Sequence, residues 1–286
     1  MVFGCNKRQN NGDLPSMVPS FMDLTRRATR IAHEFLNEPL YRQAVQDHPV
    51  CDACERICFV HIRKTAGTSL NHMFLSLCGL DAPTIYEALG NEPSHRLTFN
   101  DWVFIGWHTR LINRGHYHYA WTHDPWHQLR LPPGTFVFTC LRDPLERVLS
   151  LHRMLVEQRN AGGKHPGFAG QAGFLGSGFH DFVRQLPEHE LLRQLYTFSD
   201  RYDIEEALDQ LRTLDHVLVT EAFEAGVETL AAKLQLPLQP LHMRTTVRET
   251  AYPSDDVEVL RKRLAPEYEF FNRARAWLKE KAGTTP

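Results

Sequence analysis

Apolar positions follow two rhythms along this chain. Short runs rich in β-branched and aromatic residues occupy 57–62, 102–108, 135–141 and 216–219, and read as buried strands. Elsewhere apolar residues recur at i, i+3, i+4 and i+7. Leu70, Met73, Phe74 and Leu77 form one such helix face, with Gly79 as its stop. Leu145, Val148, Leu149 and His152 form another. It opens on Asp143 as N-cap, with Pro144 at the first helical position and Glu146 at capping-box spacing. Further helices are predicted over 21–36, 179–193, 203–214, 221–234 and, interrupted at Pro266, 255–281. No such pattern marks 80–100, and the Gly-rich stretch 161–178 reads as a loop, a candidate lid over an acceptor. Strands alternating with helices predict an α/β fold with a mostly parallel central sheet flanked by helices.

Ligands of such sheets bind at the carboxyl ends of the strands. The first strand ends in Arg63-Lys-Thr-Ala-Gly-Thr-Ser69. A helix start carries unpaired N–H groups and partial positive charge, so it attracts phosphate. Gly67 lets amides approach an anion, Thr65, Thr68 and Ser69 add hydroxyl donors, and Lys64 adds a mobile charge. The same stretch also reads as a plain strand–turn–helix capped by Thr or Ser, and the pattern leaves both readings open. It is not a Walker A loop, because Lys64 precedes Gly67 instead of following it, which argues against ordinary ATP or GTP use. The 135–141 strand ends in Arg142, with Ser150 about two helical turns further on. Both side chains suit one anion, or Arg142 simply pairs with a carboxylate at the helix start.

The 286 residues are 42% hydrophobic, enough for one large core. The polar residues 1–20 predict a disordered terminus, 21–50 an N-terminal helical segment, and 51–286 a single α/β domain. No run is long enough to span a membrane and no signal-peptide core opens the chain, so a soluble, cytoplasmic protein is expected. A net charge of −2 gives no nucleic-acid signature. Basic residues do cluster, at Arg142, Arg147, Arg153, Arg159 and Lys164, and at Arg244, Arg248, Arg261, Lys262 and Arg263. Six cysteines in a chain this long do not make a disulfide scaffold. His48, Cys51 and Cys54 have the spacing of half a zinc site, but no second Cys pair completes it. His116 and His118 would share a strand face. No metal is expected at either.

The two junctions together resemble those of sulfotransferases that use 3′-phosphoadenosine 5′-phosphosulfate, in the branch of Golgi carbohydrate sulfotransferases and their bacterial relatives. His61-Ile-Arg-Lys-Thr-Ala-Gly-Thr-Ser-Leu70 resembles that family's His-Ile-Pro-Lys-Thr-Gly-Gly-Thr-Ser loop, which holds the 5′-phosphosulfate. Leu141-Arg-Asp-Pro-Leu-Glu-Arg-Val-Leu-Ser150 resembles its Arg-Asp-Pro-x-x-Arg-x-x-Ser element, which holds the 3′-phosphate through Arg and Ser. His216-Val-Leu-Val-Thr-Glu and Pro266-Glu-Tyr-Glu-Phe-Phe-Asn resemble its later elements, so the likeness runs over 57–278.

The resemblance implies a three-layer fold like that of P-loop NTPases, with sulfuryl transfer to an acceptor hydroxyl on a saccharide or small molecule. The product would be adenosine 3′,5′-bisphosphate, and no metal is required. It assigns donor binding to Arg63, Lys64, Thr65, Ala66, Gly67, Thr68, Ser69, Arg142 and Ser150, and charge neutralisation on the leaving phosphate to Lys64. Three departures matter. Arg63 replaces the family's Pro, Ala66 replaces a Gly and fits if its φ is negative, and His108 follows Gly106 one residue later than the family's Gly-His. On a strand that shift flips the side chain unless a bulge restores it. His108 is the first choice of base, with His116, His118 and Glu87 as rivals. Other classes remain: a non-catalytic nucleotide-binding or interaction domain, or an ATP-dependent phosphotransferase.

Overall fold

The computed structural model describes residues 37–92, 94–163, 170–241, 243 and 251–283. The predicted terminus 1–20, the predicted helix 21–36, and Lys164, Arg244 and Arg248 lie outside the described residues. Pro39–Pro286 forms one compact unit. The first half runs α1 (37–47), β1 (Arg56–Val60), α2 (Gly67–Leu75), α3 (Ala82–Asn91), β2 (Arg96–Phe99), β3 (Trp102–Gly106), α4 (Thr109–Ile112) and β4 (Tyr119–Thr122). The second runs β5 (Thr135–Leu141), α5 (Pro144–Asn160), α6 (Phe179–Gln185), α7 (Glu188–Leu191), α8 (Arg193–Phe198), α9 (Ile204–Arg212), β6 (His216–Val219), α10 (Phe223–Leu234), α11 (Ser254–Arg263) and α12 (Ala265–Gly283).

The strands form one sheet in the order β2-β3-β4-β1-β5-β6, parallel except for the antiparallel edge pair β2–β3. β1 lies inside it and every residue of it is buried, as its unbroken apolar run requires of a strand covered on both faces. Its side chains alternate between the two faces of the sheet. Ile57 and Phe59 pack with Leu70, Met73 and Phe74 of α2, Ile85 and Leu89 of α3, and Val227 and Leu230 of α10. Val60 packs on the other side with Val148, Leu151 and Leu155 of α5, Phe182 of α6, Leu195 of α8 and Phe270 of α12. The result is three layers, helices over both faces of a mostly parallel sheet.

The registers bring the strand ends level. Val60 pairs with Thr122 on β4 and with Thr139 on β5, and Gly106 pairs with Trp121. The loops that leave β3, β4, β1 and β5 at their carboxyl ends therefore emerge side by side.

Several elements differ from the periodicity. The unpatterned stretch 80–100 holds α3 and β2. α3 starts on Asp81, whose carboxylate accepts the Thr84 N–H at 3.1 Å, with Pro83 in the first turn. The helix predicted over 179–193 is divided among α6, α7 and α8. Pro187 forces Leu186 out of the helical region (φ −58°, ψ 118°), as the residue before a proline is forced. α2 is buried on nearly every side instead of on one face. α5 begins where its signals placed it, with Asp143 accepting the Glu146 N–H at 3.0 Å. Among the described residues no helix is long and apolar enough to cross a membrane.

Candidate active site

The loop after β1 is tight and strained. Lys64 and Ala66 both adopt left-handed backbone, φ 71° and 61°. The condition set for Ala66, a negative φ, is not met: the chain takes the conformation that glycine tolerates best, at the position where the family loop has glycine. The strain has a geometric use. A left-handed Ala66 followed by helical Gly67 turns successive N–H groups inward, as in an anion-binding nest. Ala66 is the N-cap of α2 and no side chain caps it. Leu70 N–H takes the Ala66 carbonyl at 3.1 Å, so the N–H groups of Gly67, Thr68 and Ser69 point out of the helix start. No acidic residue lies in that first turn. The capped strand–turn–helix reading thus fails here, and the donors face the loop.

The hydroxyls divide their roles. Thr65 is buried and its Oγ1 donates to the Ile62 carbonyl at 2.7 Å, so it closes the loop. Ser69 Oγ accepts the Met243 N–H at 3.1 Å and keeps its own proton to donate. Thr68 is half-buried at the helix start. Gly67 is required by close approach, since a Cβ there would overlap the imidazole of His61.

The second junction lies against the first. Arg142 Nη1 donates to the Lys64 carbonyl at 3.1 Å. Gln194 holds the Arg142 backbone from both sides, its Oε1 accepting the N–H at 2.8 Å and its Nε2 donating to the carbonyl at 2.9 Å. Glu146 lies 3.7 Å from Arg142, and Glu221 accepts the Asp143 N–H at 2.7 Å, so the predicted capping box is only half formed. Burial lowers the Arg142 guanidinium pKa, against which Glu146 and Glu221 act. Ser150 is buried two turns along α5. Behind Gln194 sits a fully buried ion pair, Arg147 Nε to Glu267 Oε1 at 3.2 Å. Glu267 also accepts the Gln194 N–H and Nε2 at 3.1 Å each, and Arg147 donates to the Glu190 and Leu191 carbonyls. Arg147, which looks in the sequence like part of a basic surface, is thus a core cation that braces the Arg142 segment.

Two histidines that sequence reasoning left out of the site stand beside the loop. His61 stacks on Phe59 (centroids 4.9 Å apart) and touches His123 (4.3 Å). His123 Nδ1 lies 2.8 Å from the His61 carbonyl, and the His123 carbonyl accepts from buried Arg193. Burial, then His123, Arg63, Lys64 and Arg193, hold the His61 imidazole well below the usual histidine range. Burial, then Arg63, lower His123 to about 3. Both are neutral at physiological pH, ringed by cations. The signal for His61 lay in the loop motif itself. Nothing local marked His123 or Arg193, which arrive just past β4 and on α8.

The histidines named as bases separate. The chain leaves β3 at Trp107, which is left-handed (φ 57°), and His108 becomes the N-cap of α4, its Nδ1 accepting the Leu111 N–H at 3.4 Å. Neither strand parity nor a bulge sets its direction. His118 sits at the amino end of β4, where its Nδ1 accepts the Val103 N–H and its Nε2 lies 2.7 Å from the His48 carbonyl. His116 meets Arg42 Nε at 3.3 Å beside a cavity of about 550 Å³ shared with Arg56 and Gly115, at the amino ends of the strands. Both lie at the opposite end of the sheet from the loop. Glu87 is exposed on α3. Among the described residues no three His, Cys, Asp or Glu side chains gather as a metal-ligand set.

A mostly parallel sheet with an uncapped, lysine-flanked helix start at one strand end and an arginine from the neighbouring strand end on its rim is the layout of an α/β protein whose site lies at the carboxyl ends of its strands. The chain belongs to the sulfotransferase family, whose model matches residues 47–201, a span that contains both junctions, His108, His123 and Arg193. A search of curated proteins returns no match to the chain.

Proposed function

We propose that the protein moves the sulfuryl group of 3′-phosphoadenosine 5′-phosphosulfate to a hydroxyl of an acceptor, a saccharide being the first class to try. One observation carries this reading: the uncapped start of α2 beside Lys64, with the Arg142 guanidinium seated on the Lys64 carbonyl. The bound donor supplies a sulfuryl group whose in-line transfer builds negative charge on the 5′-phosphate left behind. Lys64, the N–H groups of Gly67, Thr68 and Ser69 and the hydroxyls of Thr68 and Ser69 answer that charge, with Arg63 and Thr65 shaping the loop around it. Arg142 and Ser150 take the 3′-phosphate, which excludes ATP as an equal ligand. The family alone supports sulfuryl transfer in general.

The acceptor must lose a proton, and His123 suits that task better than His108. A carbonyl oxygen only accepts, so His123 Nδ1 carries the proton and donates to His61, leaving the Nε2 lone pair to act as base. His108 Nδ1 instead faces the start of α4, 3.4 Å from the Leu111 nitrogen. An anion bound beside Arg63 and Lys64 offsets the cations around His61 and His123 and strengthens both bases when the donor is present.

Thermal unfolding tests the donor site. Adenosine 3′,5′-bisphosphate raises the melting temperature and ATP much less, through preferential binding to the native state; equal shifts would sink the assignment. Lys64→Ala abolishes transfer of labelled sulfate to a glycan panel while the protein stays folded. His123→Ala lowers kcat by roughly 10²–10⁴-fold. A small loss there with a large one in His108→Ala returns the base to His108. A bisphosphate shift without transfer to any acceptor would favour a non-catalytic nucleotide-binding domain.

A further inference from the structure

Cys51 and Cys54 stand apart from this site, ahead of the amino end of β1. They pair as an antiparallel bridge across the turn Cys51-Asp-Ala-Cys54. Both are free thiols, their sulfurs 3.3 Å apart. Both are half-buried, whereas Cys58, Cys78 and Cys140 are buried. With no third ligand beside them among the described residues, they fall short of a zinc set.

We propose that Cys51 and Cys54 form a redox-active dithiol, which a small-molecule disulfide of the glutathione class converts to an intramolecular disulfide. The turn makes the closure easy. A β-turn holds its end Cα atoms within about 7 Å, and a disulfide spans about 4.4–6.8 Å between Cα atoms. The sulfurs need only close from 3.3 Å to a bond of about 2.05 Å. Burial, then the hydrogen bond with Cys51, pushes the Cys54 thiol up. Cys51 gives up its proton and attacks one sulfur of the small disulfide, releasing the first thiolate. Cys54 then loses its proton and attacks the Cys51 sulfur of the mixed disulfide, releasing the second. The two leaving thiolates take up the two protons, so the protein is oxidised by two electrons and the small disulfide becomes two thiols.

The closed turn would pin the segment between α1 and β1. Cys51, Cys54 and buried Val50 all pack into the core beneath β1, while the anion loop leaves the other end of that strand. Oxidation therefore acts on stability and not on the site.

The test uses the full chain incubated with oxidised glutathione, then alkylated and mapped by peptide mass spectrometry. The expected product is a Cys51–Cys54 link, lighter by two hydrogens and reversed by dithiothreitol, with an unfolding midpoint higher by on the order of a few degrees. Cys54→Ser traps glutathione on Cys51, and Cys51→Ser leaves Cys54 without an internal partner. Three outcomes overturn the proposal: both thiols still alkylate after oxidation, either pairs with another cysteine, or co-purified zinc shields both before oxidant is added.

Discussion

Ala66 and Gly67 show how finely the loop depends on single side chains. Left-handed backbone costs an L-residue roughly 1–2 kcal/mol, and glycine's extra unfolded-state freedom costs about 0.5–1 kcal/mol. The strain at Ala66, φ 61°, is the larger effect, so Ala66→Gly gains up to about 1 kcal/mol and raises the melting temperature. A drop on that substitution would mean that the methyl group packs more than the backbone strains. Gly67→Ala works in the opposite direction. Its Cβ displaces the His61 ring, and with it the His123 contact, so the bisphosphate-induced shift falls while the sheet survives. The glycine's importance is legible in the loop motif. The sign of φ at Ala66 is not, because it depends on how β1 delivers the chain to α2.

Among elements, α5, α8 and α12 meet at the buried Arg147–Glu267 pair. Removing one partner of such a pair strands a charge in the core and costs about 3–5 kcal/mol, so Glu267→Gln lowers the urea midpoint sharply. Gln194→Ala costs stability as well. It deletes both bonds that hold the Arg142 backbone, each worth about 1–3 kcal/mol when its loss leaves a buried partner unsatisfied. Bisphosphate affinity then falls further than stability alone accounts for, a difference that titration at a temperature well below melting resolves. Unchanged affinity would remove Gln194 as the support of Arg142. In the sequence, Arg147 and Arg142 share one basic stretch and are indistinguishable by pattern. Helical geometry turns Arg147 inward, and the carboxylate it needs comes from α12.

At the scale of the whole molecule, buried neutral histidines couple stability to pH. His61 lies well below the usual range, His123 near 3, and His152 and His216 near 4, burial being the first cause in each. An unfolded histidine binds its proton near pH 6.5. Below that pH the unfolded chain holds more protons than the native one, so stability falls as pH drops from about 6.5 toward 4 and is greatest above it. Chemical denaturation at pH 7.5 and 5.0 checks this: the midpoint is lower at pH 5.0, and an unchanged midpoint would mean that these rings titrate normally in the fold.

The amino-acid sequence alone determined what local chemistry encodes: a strand in the run from 57, which the structure ends at Val60, a left-handed stop at Gly79, which closes a short 3₁₀ turn after α2, the Asp143–Pro144 helix start and the two polar junctions. These depend on side-chain period, caps and φ preferences acting within about two helical turns. It misread 80–100, where a capped helix and an edge strand lack a strong apolar rhythm, and its ranking of the bases, with His108 first, left out His123. Only the tertiary structure decided that β4 and β5 flank β1 in level register. That arrangement brings His123 to the loop, sends His116 and His118 to the far end of the sheet, and sets Arg142 on the Lys64 carbonyl. Strand order and register arise from burying both faces of the sheet at once, a condition that no single stretch of chain contains.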